Sequence, residues 1–189
     1  MARLALDVLG RPDLTVLVCG YRRTPRRLPT PAVTEVAKVC GQDLATIADE
    51  REFVGSGPAG GERYDIVVAA DVIECFGDPQ MWFAKLFGLV VPDGVLICSA
   101  SLYDARDLQR RHHHFADGHL SHYTPKTLRR IAHAHDYRVD FRLPAPENRR
   151  GKRRRYVIFS RSEQVMDAVS DYFGRHRFAP PDDAPAGVV

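Results

Sequence analysis

The stretch from residue 64 to residue 98 constrains this chain more than any other. Tyr64-Asp65-Ile66-Val67-Val68-Ala69-Ala70 is a short apolar, β-branched run, the pattern of a strand buried on both faces. Between Pro79 and Val91, the residues Met81, Trp82, Leu86 and Phe87 recur at helical spacing. Val91-Pro92-Asp93-Gly94 then turns the chain into a second apolar run, Val95-Leu96-Ile97-Cys98. Strand, helix, turn and strand in that order predict parallel strands joined by a crossover helix. The amphipathic set on the helix reads as core rather than as a binding platform.

The flanking segments extend the same pattern. Leu14-Thr15-Val16-Leu17-Val18-Cys19-Gly20 reads as a first buried strand ending at glycine, and Val33 to Cys40 alternates as a second, with Gly41-Gln42-Asp43 turning out of it. Between them, Tyr21 to Pro31 is rich in Arg and carries three prolines, which argues against a regular helix there. A Gly-rich loop follows from Gly55 to Gly61. Thr124-Pro125 reads as an N-cap with proline at the first helical position, opening a helix through about His135. Tyr137 to Leu143 and Tyr156 to Ser160 predict two strands joined directly by an Arg-rich loop, and Glu163 to Phe173 a closing helix. The predicted fold class is therefore α/β: a doubly wound, mostly parallel sheet with an antiparallel edge hairpin. Residues 1–176 are expected to form one domain and 177–189 a Pro-rich disordered tail.

Length and composition agree with that reading and exclude others. A chain of 189 residues suits one core, and 44% apolar with 27% charged residues is neither fibrous nor wholly disordered. The longest apolar runs are broken, as by Asp71, and are too short to cross a bilayer. The start, Met1 to Asp7, lacks the apolar core and cleavage site of a secretory signal, so a cytoplasmic location is expected. Cys19, Cys40, Cys75 and Cys98 form no C-x-x-C pair, which signals neither a zinc ribbon nor a disulfide framework. The net charge of +3 hides two basic clusters, Arg22 to Arg27 and Arg149 to Arg155. Such clusters suit phosphates or nucleic acid, while their plain reading is a solvated loop.

Residues 64–76, read as Tyr64-Asp65-Ile66-Val67-Val68-Ala69-Ala70-Asp71-Val72-Ile73-Glu74-Cys75-Phe76, are followed by Asp78-Pro79 and by Val91-Pro92-Asp93-Gly94-Val95-Leu96-Ile97. This block resembles the centre of class I S-adenosylmethionine (SAM) dependent methyltransferases, FDxVxxxEVLEHxxDP, a helix, then LxPGGxLxI. Gly118-His119-Leu120-Ser121-His122-Tyr123-Thr124-Pro125-Lys126-Thr127-Leu128-Arg129-Arg130 is similar to that family's later segment, a His-rich loop entering a helix through TPxxLRRL. The resemblance spans about residues 14 to 160. It departs after the first strand, where the family carries an acidic residue and a G-x-G loop. Here the stretch is Val18-Cys19-Gly20-Tyr21-Arg22, with Arg22 at the second glycine position.

The resemblance implies SAM as cofactor, with Cys19, Gly20, Tyr21, Asp43, Asp49, Asp71 and Val72 as the residues that border it. In open α/β sheets ligands lie beyond the carboxyl ends of the strands, which places Gly20, Asp43 and Asp71 around one crevice. Asp43 falls where the family places its ribose-binding carboxylate and reads equally as a turn cap. Asp49 falls near the adenine position and reads also as an exposed loop carboxylate. Glu74 matches the second glutamate of EVLEH, Cys75 replaces the histidine after it, and both read as structural. His119 and His122 are candidate general bases, since methylating a hydroxyl requires proton loss and imidazole titrates near neutrality. The alternative is a polar loop capping the next helix. No spacing among His112, His113, His114, His119 and His122 singles out a tetrahedral metal set, so no metal is expected.

The function implied is methyl transfer to a small molecule or glycan hydroxyl. The alternatives are a non-catalytic methyltransferase-like binding or assembly module and, less favoured, a nucleic-acid methyltransferase. A protein partner or a homo-oligomer is left open. A nicotinamide-dependent dehydrogenase is disfavoured because no G-x-G-x-x-G follows the first strand.

Overall fold

The computed structural model describes residues 2–11, 13–22, 30–40, 47–52, 63–70, 72–103, 119–143 and 154–175. In chain order these form α1 (Ala2–Leu9), β1 (Asp13–Arg22), β2 (Thr30–Cys40), β3 (Ile47–Glu52), β4 (Tyr64–Ala70), a 3₁₀ turn (Ile73–Cys75), α2 (Pro79–Gly88) and β5 (Val90–Ser101). After these come α3 (Pro125–His133), β6 (Arg138–Arg142), β7 (Arg154–Ser160) and α4 (Glu163–Arg175). The seven strands make one sheet in the order β3-β2-β1-β4-β5-β7-β6.

The centre of the sheet is parallel: Val16 to Cys19 of β1 run beside Ile66 to Ala69 of β4, which run beside Val95 to Cys98 of β5. At one edge β7 and β6 form the antiparallel hairpin expected from their direct connection. On the other side β2 pairs antiparallel with β1 and β3 antiparallel with β2, so the parallel arrangement stops at β1. The reason lies in the crossover. Pro25, Pro29 and Pro31 disfavour a helix that would carry the chain over the sheet, and without such a crossover a following strand returns in the opposite direction. β3 and α1 are elements that the hydrophobic pattern alone did not single out.

The apolar run of β4 divides between two cores as a strand buried on both faces must. Ile66 and Val68 join Val95, Ile97, Leu14 and Val16 under α1 and α4, which contribute Leu4, Ala5, Val165, Val169 and Phe173. Tyr64, Val67 and Ala69 join Leu17, Cys19, Leu96, Cys98 and Ala100 on the opposite face, covered by Phe83, Leu86 and Phe87 of α2 and Leu128 and Ala132 of α3. Met81 is 42% exposed and does not belong to the core; Phe83, fully buried, takes the place expected for it. Both helices start as the sequence signals. Asp78 accepts a hydrogen bond from the Met81 N–H before Pro79, and Thr124 accepts one from the Thr127 N–H before Pro125.

Val91-Pro92-Asp93-Gly94, expected as a turn, lies inside β5, where the register with β4 shifts between Tyr64 and Ile66. An added Cβ at Gly94 would stand 2.7 Å from the Asp65 carbonyl oxygen and 2.8 Å from a Val90 methyl. Gly94→Ala must therefore move backbone, and a loss of about 1–3 kcal/mol is expected in urea denaturation. An unchanged midpoint would show that the bulge relaxes freely.

Candidate active site at the carboxyl ends of the central strands

Beyond the carboxyl ends of β4 and β5 three segments are tied together. Val72 and Ile73 are buried and lead the 3₁₀ turn inward, which brings Glu74 beneath the surface at 3% exposure. The Glu74 side-chain oxygen Oε1 accepts the Ser101 N–H at 3.1 Å, joining the end of β5 to the turn after β4. Its main-chain carbonyl accepts the N–H groups of both Leu120 and Ser121 at 2.8 Å. The Ser121 hydroxyl donates to the Phe76 carbonyl at 2.6 Å, and the Tyr123 hydroxyl to the Ile73 carbonyl at 2.9 Å. The Tyr103 N–H donates to the Tyr123 carbonyl at 3.0 Å, beside an isolated parallel bridge between Leu102 and Tyr123.

These bonds fix the segment 119–123 over the turn and bring His119 and His122 into the site. The two imidazoles lie 6.4 Å apart between ring centroids, and His122 meets the Tyr103 ring edge to face at 5.1 Å. Burial pushes the Glu74 carboxyl above its ordinary value, while His119 and the Ser101 bonds pull it back down. Burial also raises the Tyr123 hydroxyl.

Other expected site residues are placed differently. Gly20 and Tyr21 do not turn away as a loop: β1 continues through Arg22, with Gly20 opposite Ala32, Tyr21 opposite Pro31 and Arg22 opposite Thr30. Cys19 is buried, and burial pushes its thiol up to about 12, so it behaves as a small apolar residue, as does Cys98. Asp49 lies in β3 opposite Glu35, which is opposite Leu17 of β1. That register sets its backbone back from the carboxyl ends, two strands away from β1 and three from β4. Val72 has only 2% exposure, so what it can present outward is main chain. Asp43, Asp71, His112, His113, His114, Arg149, Arg150, Lys152, Arg153, the Gly-rich loop and the tail 177–189 lie outside the described residues. Among the described residues no group of three or more His, Cys, Asp or Glu could hold a metal ion. No described helix is long and apolar enough to cross a membrane. Ser101, Tyr103 and Tyr123 belong to the site although nothing in the sequence marked them out: their roles depend on a main-chain bridge between segments twenty residues apart.

A parallel-centred α/β sheet places its ligand crevice beyond the carboxyl ends of its strands, where these polar groups converge. Comparison with known proteins narrows the class. The family described as "Methyltransferase domain" matches residues 17–140, more than half of the chain. The chain belongs to this family, the class I SAM-dependent methyltransferases. Among curated proteins it is similar to the ubiquinone biosynthesis O-methyltransferase of Cereibacter sphaeroides, 30% identical over 100 residues that cover 52% of this chain and 34% of the relative. The counterpart from another strain of that organism is 29% identical over the same coverage. The chain thus spans about a third of the length of the curated relatives it matches. Among solved structures, a SAM-dependent methyltransferase of Thermotoga maritima aligns with a TM-score of 0.42 at 11% identity, covering 56% of this chain and 59% of that one. An O-methyltransferase family protein of Burkholderia thailandensis aligns with a TM-score of 0.41 at 18% identity, covering 55% and 32%.

Proposed function

We propose that this domain transfers a methyl group from SAM to a hydroxyl of a small molecule, with His119 or His122 as general base. The observation that carries this reading is the pair of hydrogen bonds from Leu120 and Ser121 to the Glu74 carbonyl, which holds both imidazoles at the carboxyl ends of β4 and β5. The names of the curated relatives, O-methyltransferases, support oxygen as the acceptor atom.

The residues fit the cofactor on one side of the site. A buried carboxylate, Glu74, at the strand ends suits the neighbourhood of a cationic sulfonium better than a basic site would. Under this reading Gly20 and Tyr21 offer main chain at the end of β1, Asp71 and the Val72 main chain border the methionine part, and Asp43 takes the ribose. When bound, SAM supplies an activated methyl whose bond to sulfur breaks as its bond to the acceptor oxygen forms. The chain's own work is to orient the acceptor oxygen, exclude water and take the hydroxyl proton onto a ring nitrogen of the base.

A second reading rests on Gly20-Tyr21-Arg22, which continues as strand beside β2 where the family has a glycine-rich loop. That favours a methyltransferase-like binding module. Incubation of the chain with methyl-labelled SAM and a panel of phenols, catechols and sugar alcohols separates the two. Label on an oxygen is the expected result. SAM that binds without transfer to any acceptor would favour the binding module.

A further inference from the structure

We propose that the exposed face of α3, continued by Arg161 just after β7, is a nucleic-acid surface that grips the phosphate backbone without reading bases. The inference is independent of the methyl-transfer reading, since it uses neither His119 nor His122.

Three observations carry it. Lys126, Arg129, Arg130 and His133 follow one another at i, i+3, i+4 and i+7, so all four project within an arc of about 100°. All four are exposed, while Leu128, Ile131 and Ala132 turn the other side of the helix to the core. Arg161, also exposed, extends the stripe past the end of the helix, where its guanidinium donates to the His135 carbonyl at 3.5 Å. Two of these cations are held in place before any ligand arrives: the Arg129 guanidinium lies over the Phe141 ring at 5.2 Å, and that of Arg161 over the Tyr137 ring at 4.6 Å. The charge is also segregated. Residues 119–143 and 154–161 hold eight Lys and Arg against two Asp, one of which, Asp140, is bound by Arg142 at 2.7 Å. The whole chain has 27 Lys and Arg and 24 Asp and Glu, so the rest of it is net acidic.

Helix stability does not ask for this pattern. Cations near the carboxyl end offset the helix dipole, which accounts for Arg130 and His133. Lys126 stands in the first turn, where a cation is unfavourable and no acidic residue offsets it. Lys126 and Arg130 are also like charges one turn apart. A polyanion laid along the stripe relieves both penalties. The planar donor fork of Arg fits a phosphate, and the stripe is about 10 Å long, the reach of about three successive phosphates of one strand. A lipid surface fits less well, because a helix that beds into a bilayer shows apolar side chains beside its cations. The exposed positions of α3 are Lys126, Thr127, Arg129, Arg130 and His133. The helix has no Phe, Tyr or Trp for bases to stack on, so contact stays with the backbone.

Fluorescence anisotropy of a labelled DNA duplex of mixed sequence, titrated with the full chain at several salt concentrations, tests this surface. Micromolar binding at low salt is expected, with log K against log salt falling at a slope of about −3 to −4, as phosphates neutralised by Lys126, Arg129, Arg130 and Arg161 release their counterions. Lys126→Gln combined with Arg130→Gln should roughly halve that slope, and a duplex of unrelated sequence should bind equally well. Both changes fall on exposed side chains, so the fold is expected to survive them. Failure of the native chain to bind the duplex overturns the proposal, as does an unchanged slope in the double variant or a strong preference for one sequence. Binding to vesicles containing phosphatidylserine without binding to the duplex overturns it too, and would make the stripe a membrane contact.

Discussion

Phe83→Ala is expected to destabilise the domain by about 3–5 kcal/mol, the cost of emptying a large aromatic site in a packed core. Phe83 is fully buried, and its ring meets Phe76, Phe87, Tyr123 and Phe159 at centroid distances of 5.7 to 5.9 Å. Those four partners come from the turn after β4, from α2 itself, from the 119–123 segment and from β7. The cavity would therefore open under the same elements that carry Glu74 and His119. Met81→Ala, on the exposed side of the same helix, is expected to change stability by no more than about 0.5 kcal/mol. Urea midpoints of the two variants check this, and equal losses would contradict the packing described.

His119→Ala is expected to lower kcat by about 10²- to 10⁴-fold while leaving the unfolding midpoint nearly unchanged, the signature of a lost general base on a partly exposed side chain. The same change at His122 should cost less activity, because the His122 ring packs edge to face against Tyr103. Steady-state rates of the two variants on one acceptor decide between them. If the larger loss follows His122, the base is His122. If neither variant loses activity, the proton leaves by another route.

What the sequence made legible follows the strength of its local signals. β4 was plain because five consecutive residues of small or β-branched type, Ile66 to Ala70, suit a strand with two buried faces. α2 and α3 were plain because Asp78-Pro79 and Thr124-Pro125 cap and start helices by chemistry that is local. The edge hairpin of β6 and β7 followed from the short direct connection. The direction of β2 did not, since alternation in Val33 to Cys40 specifies which side chains share a face and says nothing about parallel or antiparallel pairing. Gly94 read as a turn because Pro-Asp-Gly is turn chemistry, and only the register of β5 against β4 shows it as a bulge. In the site, the histidines were visible as candidate bases. The anchoring of their segment was not, because it depends on main-chain carbonyls of Ile73, Glu74, Phe76 and Tyr123, and a carbonyl acceptor leaves no mark on residue type.

The central claim, that this methyltransferase-family domain works on SAM, is tested most directly by calorimetric titration of the native chain with SAM and with its demethylated product. Binding at micromolar strength, about −8 kcal/mol, is the expected result. Arg22 stands where the resembled family keeps a glycine, and Arg22→Gly is the informative companion. It should leave the affinity of a chain that already binds nearly unchanged. No binding heat from the native chain, with or without binding gained in Arg22→Gly, would contradict the account.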